Sequence, residues 1–103
     1  MPLAVFTTID TAEGARTLAR AAVEARLAAC VHIEEIRAVF RWDGAVQEEP
    51  EYRLLFKTTE AAYDRLAALI LAEHPYDEPA LWAVEMATGS ESFLAWIAAE
   101  AAP

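Results

Sequence analysis

The chain has 103 residues, 56% of them hydrophobic, and 17 acidic against 8 basic side chains give a net charge of −9. That length holds one hydrophobic core and not two, and that apolar share excludes disorder as the main state. With no basic run to offset the acidic field, nucleic acid and anionic membrane surfaces are excluded as partners.

No stretch approaches the ~20 apolar residues that cross a bilayer. The segment from Met1 to Phe6 lacks the charged start and long apolar run of a signal peptide. The lone cysteine, Cys30, has no partner for an intrachain disulfide. A single domain over residues 1–103 in the cytoplasm is therefore expected.

Leu3 to Thr8 is a short run rich in β-formers and predicts a first strand. Asp10, three residues before Glu13, predicts a capping-box start for a helix running to about Leu27. Leu18, Ala22 and Val23 share one side of it, and Arg16, Arg20 and Glu24 form a polar stripe on the other. Val31, Ile33, Ile36, Val39, Phe40 and Trp42 predict a long second strand, bulged near Glu34-Glu35. Asp43-Gly44 is a strong hairpin signal, and Tyr52 to Lys57 is the returning strand. Pro50 breaks the ladder there and belongs at an edge or a bulge.

Thr59 caps a second helix in which Tyr63, Leu66, Ala67 and Ile70 recur at helical spacing. Pro75 stops it by pushing the preceding residue out of the helical region. Leu81 to Met86 predicts a fourth strand. Gly89-Ser90 then opens a closing helix with Phe93, Trp96 and Ile97 on one side. The order β-α-β-β-α-β plus a terminal helix predicts an α+β fold: a split βαβ, ferredoxin-like antiparallel sheet with both main helices on one face.

The other sheet face carries the functional expectation. In the fourth strand Leu81 and Ala83 alternate with Trp82, Val84 and Met86, and in the third Leu55 alternates with Leu54 and Phe56. Both sets are apolar, whereas a sheet with one wet face alternates apolar with polar. With no spare layer in the chain, the simplest cover is another copy of itself.

Several residues carry chemistry on one reading and packing on another. Cys30 and His32, two apart on a strand, share a face and suit copper or zinc, yet a buried cysteine is also a small hydrophobe. His74 in His74-Pro75-Tyr76 sits where a helix macrodipole favours a cation, and with Tyr76 it can also bind a metal or a small ligand. Lys57 is either a solvated strand end or an anion contact near the Thr58 and Thr59 amides. Trp42 is an interface anchor or a ligand wall, and Glu48, Glu49 and Glu51 read as a solvated edge. No phosphate loop, nucleophile elbow or H-E-x-x-H is present, and no spacing supports a Cys30/His74 nucleophile pair, so no enzyme is expected.

Five motifs in order then resemble the CutA divalent-cation tolerance family: Arg26-Leu27-Ala28-Ala29-Cys30-Val31, Trp42-x-Gly44, Glu51 with Lys57-Thr58, His74-Pro75-Tyr76-x-x-Pro79, and Phe93-Leu94-x-Trp96. The resemblance runs nearly end to end. It implies a ferredoxin-like protomer in a homotrimer similar in build to PII signalling proteins, with neighbouring hairpins paired across the interfaces. It also implies a link to tolerance and binding of copper and other divalent metals, with no catalytic activity. By position, Cys30, Lys57, His74 and Tyr76 form the implied pocket, bordered by Trp42 and Glu51, with His74 and Cys30 as metal ligands.

Four positions depart from the family pattern: His32 replaces an asparagine, Phe40 and Phe93 replace tyrosines, and Ala80 replaces a glutamate. These changes leave packing intact while removing polar contacts. The implied function is thus a cytoplasmic trimer that senses or buffers a divalent metal. The alternative is a PII-like sensor of a small organic ligand in inter-subunit clefts, reporting to a protein partner.

Overall fold

Leu3, Val5, Thr7 and Ile9, at every second position, form the buried side of the first strand in the computed structural model, which describes residues 1–103. In chain order the elements are β1 (Pro2–Ile9), α1 (Ala12–Glu24), β2 (Cys30–Trp42), β3 (Ala45–Thr59), α2 (Glu60–Glu73), β4 (Trp82–Glu85) and α3 (Glu91–Glu100). The four strands make one antiparallel sheet in the order β2-β3-β1-β4, the expected ferredoxin-like arrangement.

Register assigns the faces. Val5 pairs with Phe56 and Ala83, and Phe56 with Val31, so these side chains share one face. Leu3, Val5, Ile9, Leu54 and Phe56 on that face pack against Ala15, Leu18 and Ala22 of α1 and Leu66 and Ile70 of α2. Phe6 pairs with Leu55 and Trp82, and Ala4 with Lys57 and Val84, which puts these on the second face. There Phe6 stacks on Trp82 at 5.0 Å between ring centroids.

The expectation of no spare layer is corrected by α3. It buries Ile97 with Ala29 and Ala101 and brings Phe93 under Lys57, a second-face residue, so the helix covers one end of that face. Trp82 and Val84 stay 43% and 53% exposed beyond it. Arg26 secures this layer. Arg26 adopts φ 61° in a Schellman turn closing α1, with Arg26 N–H donating to Val23 and Leu27 N–H to Ala22. Its guanidinium then donates to the Ala99 and Glu100 carbonyls at the α3 C-terminus, where a cation also complements the helix dipole.

Local details refine the expectations. Thr11, not Asp10, caps α1: its extended backbone lets Oγ1 accept from Gly14 N–H at 3.0 Å. The Schellman turn ends that helix at Glu24, short of Leu27, and leaves Val23 exposed rather than packed with Leu18 and Ala22. Thr59 caps α2 as expected, and His74 leaves the helix with ψ 135° ahead of Pro75. Asp43 and Gly44, both at positive φ, make the two-residue turn the dipeptide predicts.

No bulge forms at Glu34-Glu35, because β2 and β3 stay in register without a break from Cys30↔Lys57 to Trp42↔Ala45. The ladder also runs through Pro50, opposite Arg37. Pro50 is tolerated because β1 pairs only from Tyr52 onward, leaving one side of β3 unpartnered at that point. The hairpin thus projects as an arm of seven residue pairs, about 23 Å long.

Candidate functional site

Where α2 ends, the chain turns back under the arm and is tied down at several points. His74, 8% exposed, donates from Nε2–H to the Thr8 carbonyl at 2.8 Å, and its Nδ1 accepts from Tyr76 N–H at 3.2 Å. These two partners assign the neutral tautomer with the proton on Nε2 and occupy both ring nitrogens. The Tyr76 ring lies 4.7 Å from the imidazole, and its hydroxyl donates to Glu51 Oε2 at 3.1 Å. Thr7 Oγ1 donates to the Ala80 carbonyl at 2.7 Å, fixing the far end of the same loop.

Between this loop and the arm lies a groove of about 580 Å³. Phe40, Trp42 and Tyr76 supply aromatic walls, with Thr8, Gln47 and Ala80 between them. Five carboxylates line it, from Asp43, Glu49, Glu51, Asp77 and Glu78, and no lysine, arginine or histidine does. Strand alternation explains the sorting. Glu49 and Glu51 face the groove, while Glu48 turns to the reverse of the arm and pairs with Arg37 at 3.6 Å.

Burial, with the hydrogen bond to the Glu51 carboxylate and its charge, holds the Tyr76 phenol well above its ordinary value. The folded state therefore keeps this proton after the unfolded chain has lost it. The associated stability is present below the unfolded value of about 10 and is lost as pH rises towards the folded one. In an ultraviolet tyrosinate titration, Tyr76→Phe is expected to remove a late-ionising step. An unchanged curve would count against the buried contact.

A second cluster sits at the other end of the second face. Cys30 pairs with Lys57 across β2 and β3, and His32 lies two residues on, on the same side. Lys57 Nζ is 3.3 Å from His32 Nε2, an ammonium donating to a ring lone pair, and stands 5.3 Å over the Phe93 ring. Phe93 is thus a cation platform. Lys57 engages His32 and Phe93 rather than the start of α2: Thr58 is buried on the opposite, helix-facing side, its hydroxyl donating to the Leu27 carbonyl, and Thr59 Oγ1 accepts from Ala62 N–H.

The six residues expected to form one pocket therefore fall into two groups. Glu51, Tyr76 and Trp42 line the groove, and His74 stands behind it, holding Tyr76; Lys57, with Cys30 paired to it, lies six residues from Glu51 along β3, about 20 Å away. This corrects the expected pairing of Cys30 with His74 as metal ligands within one chain. The imidazole beside the Cys30 thiol is that of His32. No three His, Cys, Asp or Glu side chains converge to hold a metal. Gln47, Asp77 and Glu78 were not singled out by the sequence reading. The acidic pair beside Tyr76 and the i, i+2 spacing of Gln47, Glu49 and Glu51 were the signals available.

Comparison with known proteins places these features. The family model described as CutA1 divalent ion tolerance protein matches residues 3–100. The divalent-cation tolerance protein CutA of Thermus thermophilus is 43% identical over 94 residues, covering 90% of this chain and 91% of that protein. The solved structure of the divalent cation tolerance protein from the same organism superposes with a TM-score of 0.92 at 40% identity, covering 97% of this chain and 98% of that one. The structure of CutA from Synechococcus elongatus reaches 0.95 at 36% identity, covering 98% and 90%.

Proposed function

The chain belongs to the CutA1 divalent ion tolerance protein family, and from that premise we propose that it is a cytoplasmic homotrimer that binds copper without catalysing a reaction. The observation that carries the metal reading is the free Cys30 thiol beside the His32 imidazole on one face of β2. Thiolate and imidazole together favour soft or borderline ions such as copper over hard ones. Two donors per chain suit a low-coordinate soft ion and fall short of a four-ligand structural zinc. The thiol's freedom from any disulfide fits the cytoplasm.

The trimer reading rests on apolar surface left outside the core. Trp82, Val84 and Trp96 are each more than 40% exposed on the second face and α3, an arrangement that association relieves. Native mass spectrometry of untagged protein tests assembly and metal together. A species near three times 11.3 kDa is expected, carrying copper that Cys30→Ser abolishes and His74→Ala leaves in place. A monomer would end the trimer reading. Copper retained by Cys30→Ser but lost in His74→Ala would move the site to the groove.

A second reading is favoured by the groove itself. Its volume of about 580 Å³ and its aromatic walls fit a small organic ligand rather than one ion. On that reading the trimer is PII-like in use as well as in build, binding the ligand and reporting it to a protein partner.

A further inference from the structure

We propose that Lys57 is a built-in placeholder at the Cys30–His32 pair: its ammonium occupies the imidazole lone pair that copper must take, and it tunes the affinity by competing for it. The proposal rests on the copper reading of that pair and is independent of the groove.

The contact is made within one chain, under its own α3. Cys30 and Lys57 are cross-strand partners and His32 pairs with Leu55, so Lys57 reaches His32 along the diagonal of the ladder. Its Nζ stands 3.3 Å from His32 Nε2. An ammonium has protons and no lone pair, so it donates and Nε2 accepts, which puts the imidazole proton on Nδ1. That tautomer leaves Nε2 able to ligate a metal. Lys57 thus holds the ring in its metal-competent form while filling the position an ion needs.

Two further observations direct the ammonium to this duty. The ion pairs of the chain are Met1–Glu60, Arg37–Glu48 and Arg53–Glu34, and none includes Lys57. In place of a carboxylate it has the ring of Phe93, 5.3 Å from Nζ to the centroid. That ring is carried by α3, which is fixed beside Cys30 where Ile97 and Ala101 pack on Ala29, and by the Arg26 bonds to its last carbonyls. For copper to bind, the Lys57–His32 hydrogen bond breaks and the ammonium swings away with its proton. The thiol gives its proton to solvent, and the sulfur and Nε2 lone pairs go to the ion.

Two readouts test this. The chain has two histidines, and nitrogen NMR of the imidazoles, in mildly alkaline metal-free solution, should find them in opposite tautomers. His74 should carry its proton on Nε2 and His32 on Nδ1; Lys57→Met should shift His32 away from that form and leave His74 as it is. Copper(I) affinity is read under reducing conditions by competition with a chromophoric chelator, with assembly mass checked. It is expected to rise about tenfold in Lys57→Met and about twofold in Phe93→Leu, which keeps the packing but removes the ring. In a His32→Ala background Lys57→Met should add little, because the competition is for the imidazole lone pair. An equal gain in both backgrounds would reduce Lys57 to a nearby charge and overturn the proposal, as would a His32 proton on Nε2 in the metal-free protein. An unchanged affinity in Lys57→Met, with Cys30→Ser still abolishing binding, would overturn it and keep the copper reading. Copper bound by neither the unaltered protein nor Lys57→Met would remove both.

Discussion

Phenylalanine in place of His74 is expected to cost about 2–4 kcal/mol of stability and to release the wall of the groove. The imidazole is buried and makes two hydrogen bonds, one to the Thr8 carbonyl and one from Tyr76 N–H. A phenyl ring keeps the bulk against Tyr76 but offers neither partner. Each lost bond is worth about 1 kcal/mol, and the stranded carbonyl and amide add their desolvation cost. Denaturant unfolding at fixed protein concentration reads the stability loss, the fixed concentration being needed because association contributes to it. The local consequence separates this from a general packing defect. With the loop untied, Tyr76 loses its hold on Glu51, so the late tyrosinate step should move towards the ordinary phenol range. Full stability with an unshifted titration would reduce His74 to a bystander.

Phe56→Ala is expected to be still more damaging, by about 3–5 kcal/mol. Phe56 is fully buried in a strand with neighbours on both sides, facing Val5 and Val31 under the two main helices. Its removal leaves a cavity among side chains held by α1 and α2, which can close only by shifting a helix. Domains of this size have roughly 5–15 kcal/mol in total, so the variant should unfold at much lower denaturant. Leu55→Ala, one residue away but on the second face, should cost the isolated fold less, since Leu55 is only partly buried. Equal losses at the two positions would mean that assembly buries the second face as tightly as the core.

The two substitutions probe features of different legibility. Phe56 was marked as a buried strand residue by its neighbours Leu54 and Leu55, and the apolar character of both sheet faces could be read from alternation alone. The groove could not be read that way. Glu51 and Tyr76 are 25 positions apart, and their contact depends on the loop after Pro75 folding back beneath the arm. Arg26 opens the first family motif, but its role depends on where α3 docks. The resemblance implies one pocket from four motifs, and within a single chain the β2–β3 register holds their residues in two groups.

Local chemistry in the sequence was sufficient for what neighbouring residues decide among themselves. The Asp43-Gly44 turn needs only two residues that accept positive φ, the Thr59 cap only a hydroxyl three positions before a free amide, and the end of α2 only Pro75. Strand alternation likewise assigned side chains to faces, because that period is a property of the backbone. Position along a face is not. Cys30 met Lys57 and His32, and Glu51 met Tyr76, through the β2–β3 register and the docking of one loop. Those choices minimise the free energy of the whole packed chain, a quantity no local window contains.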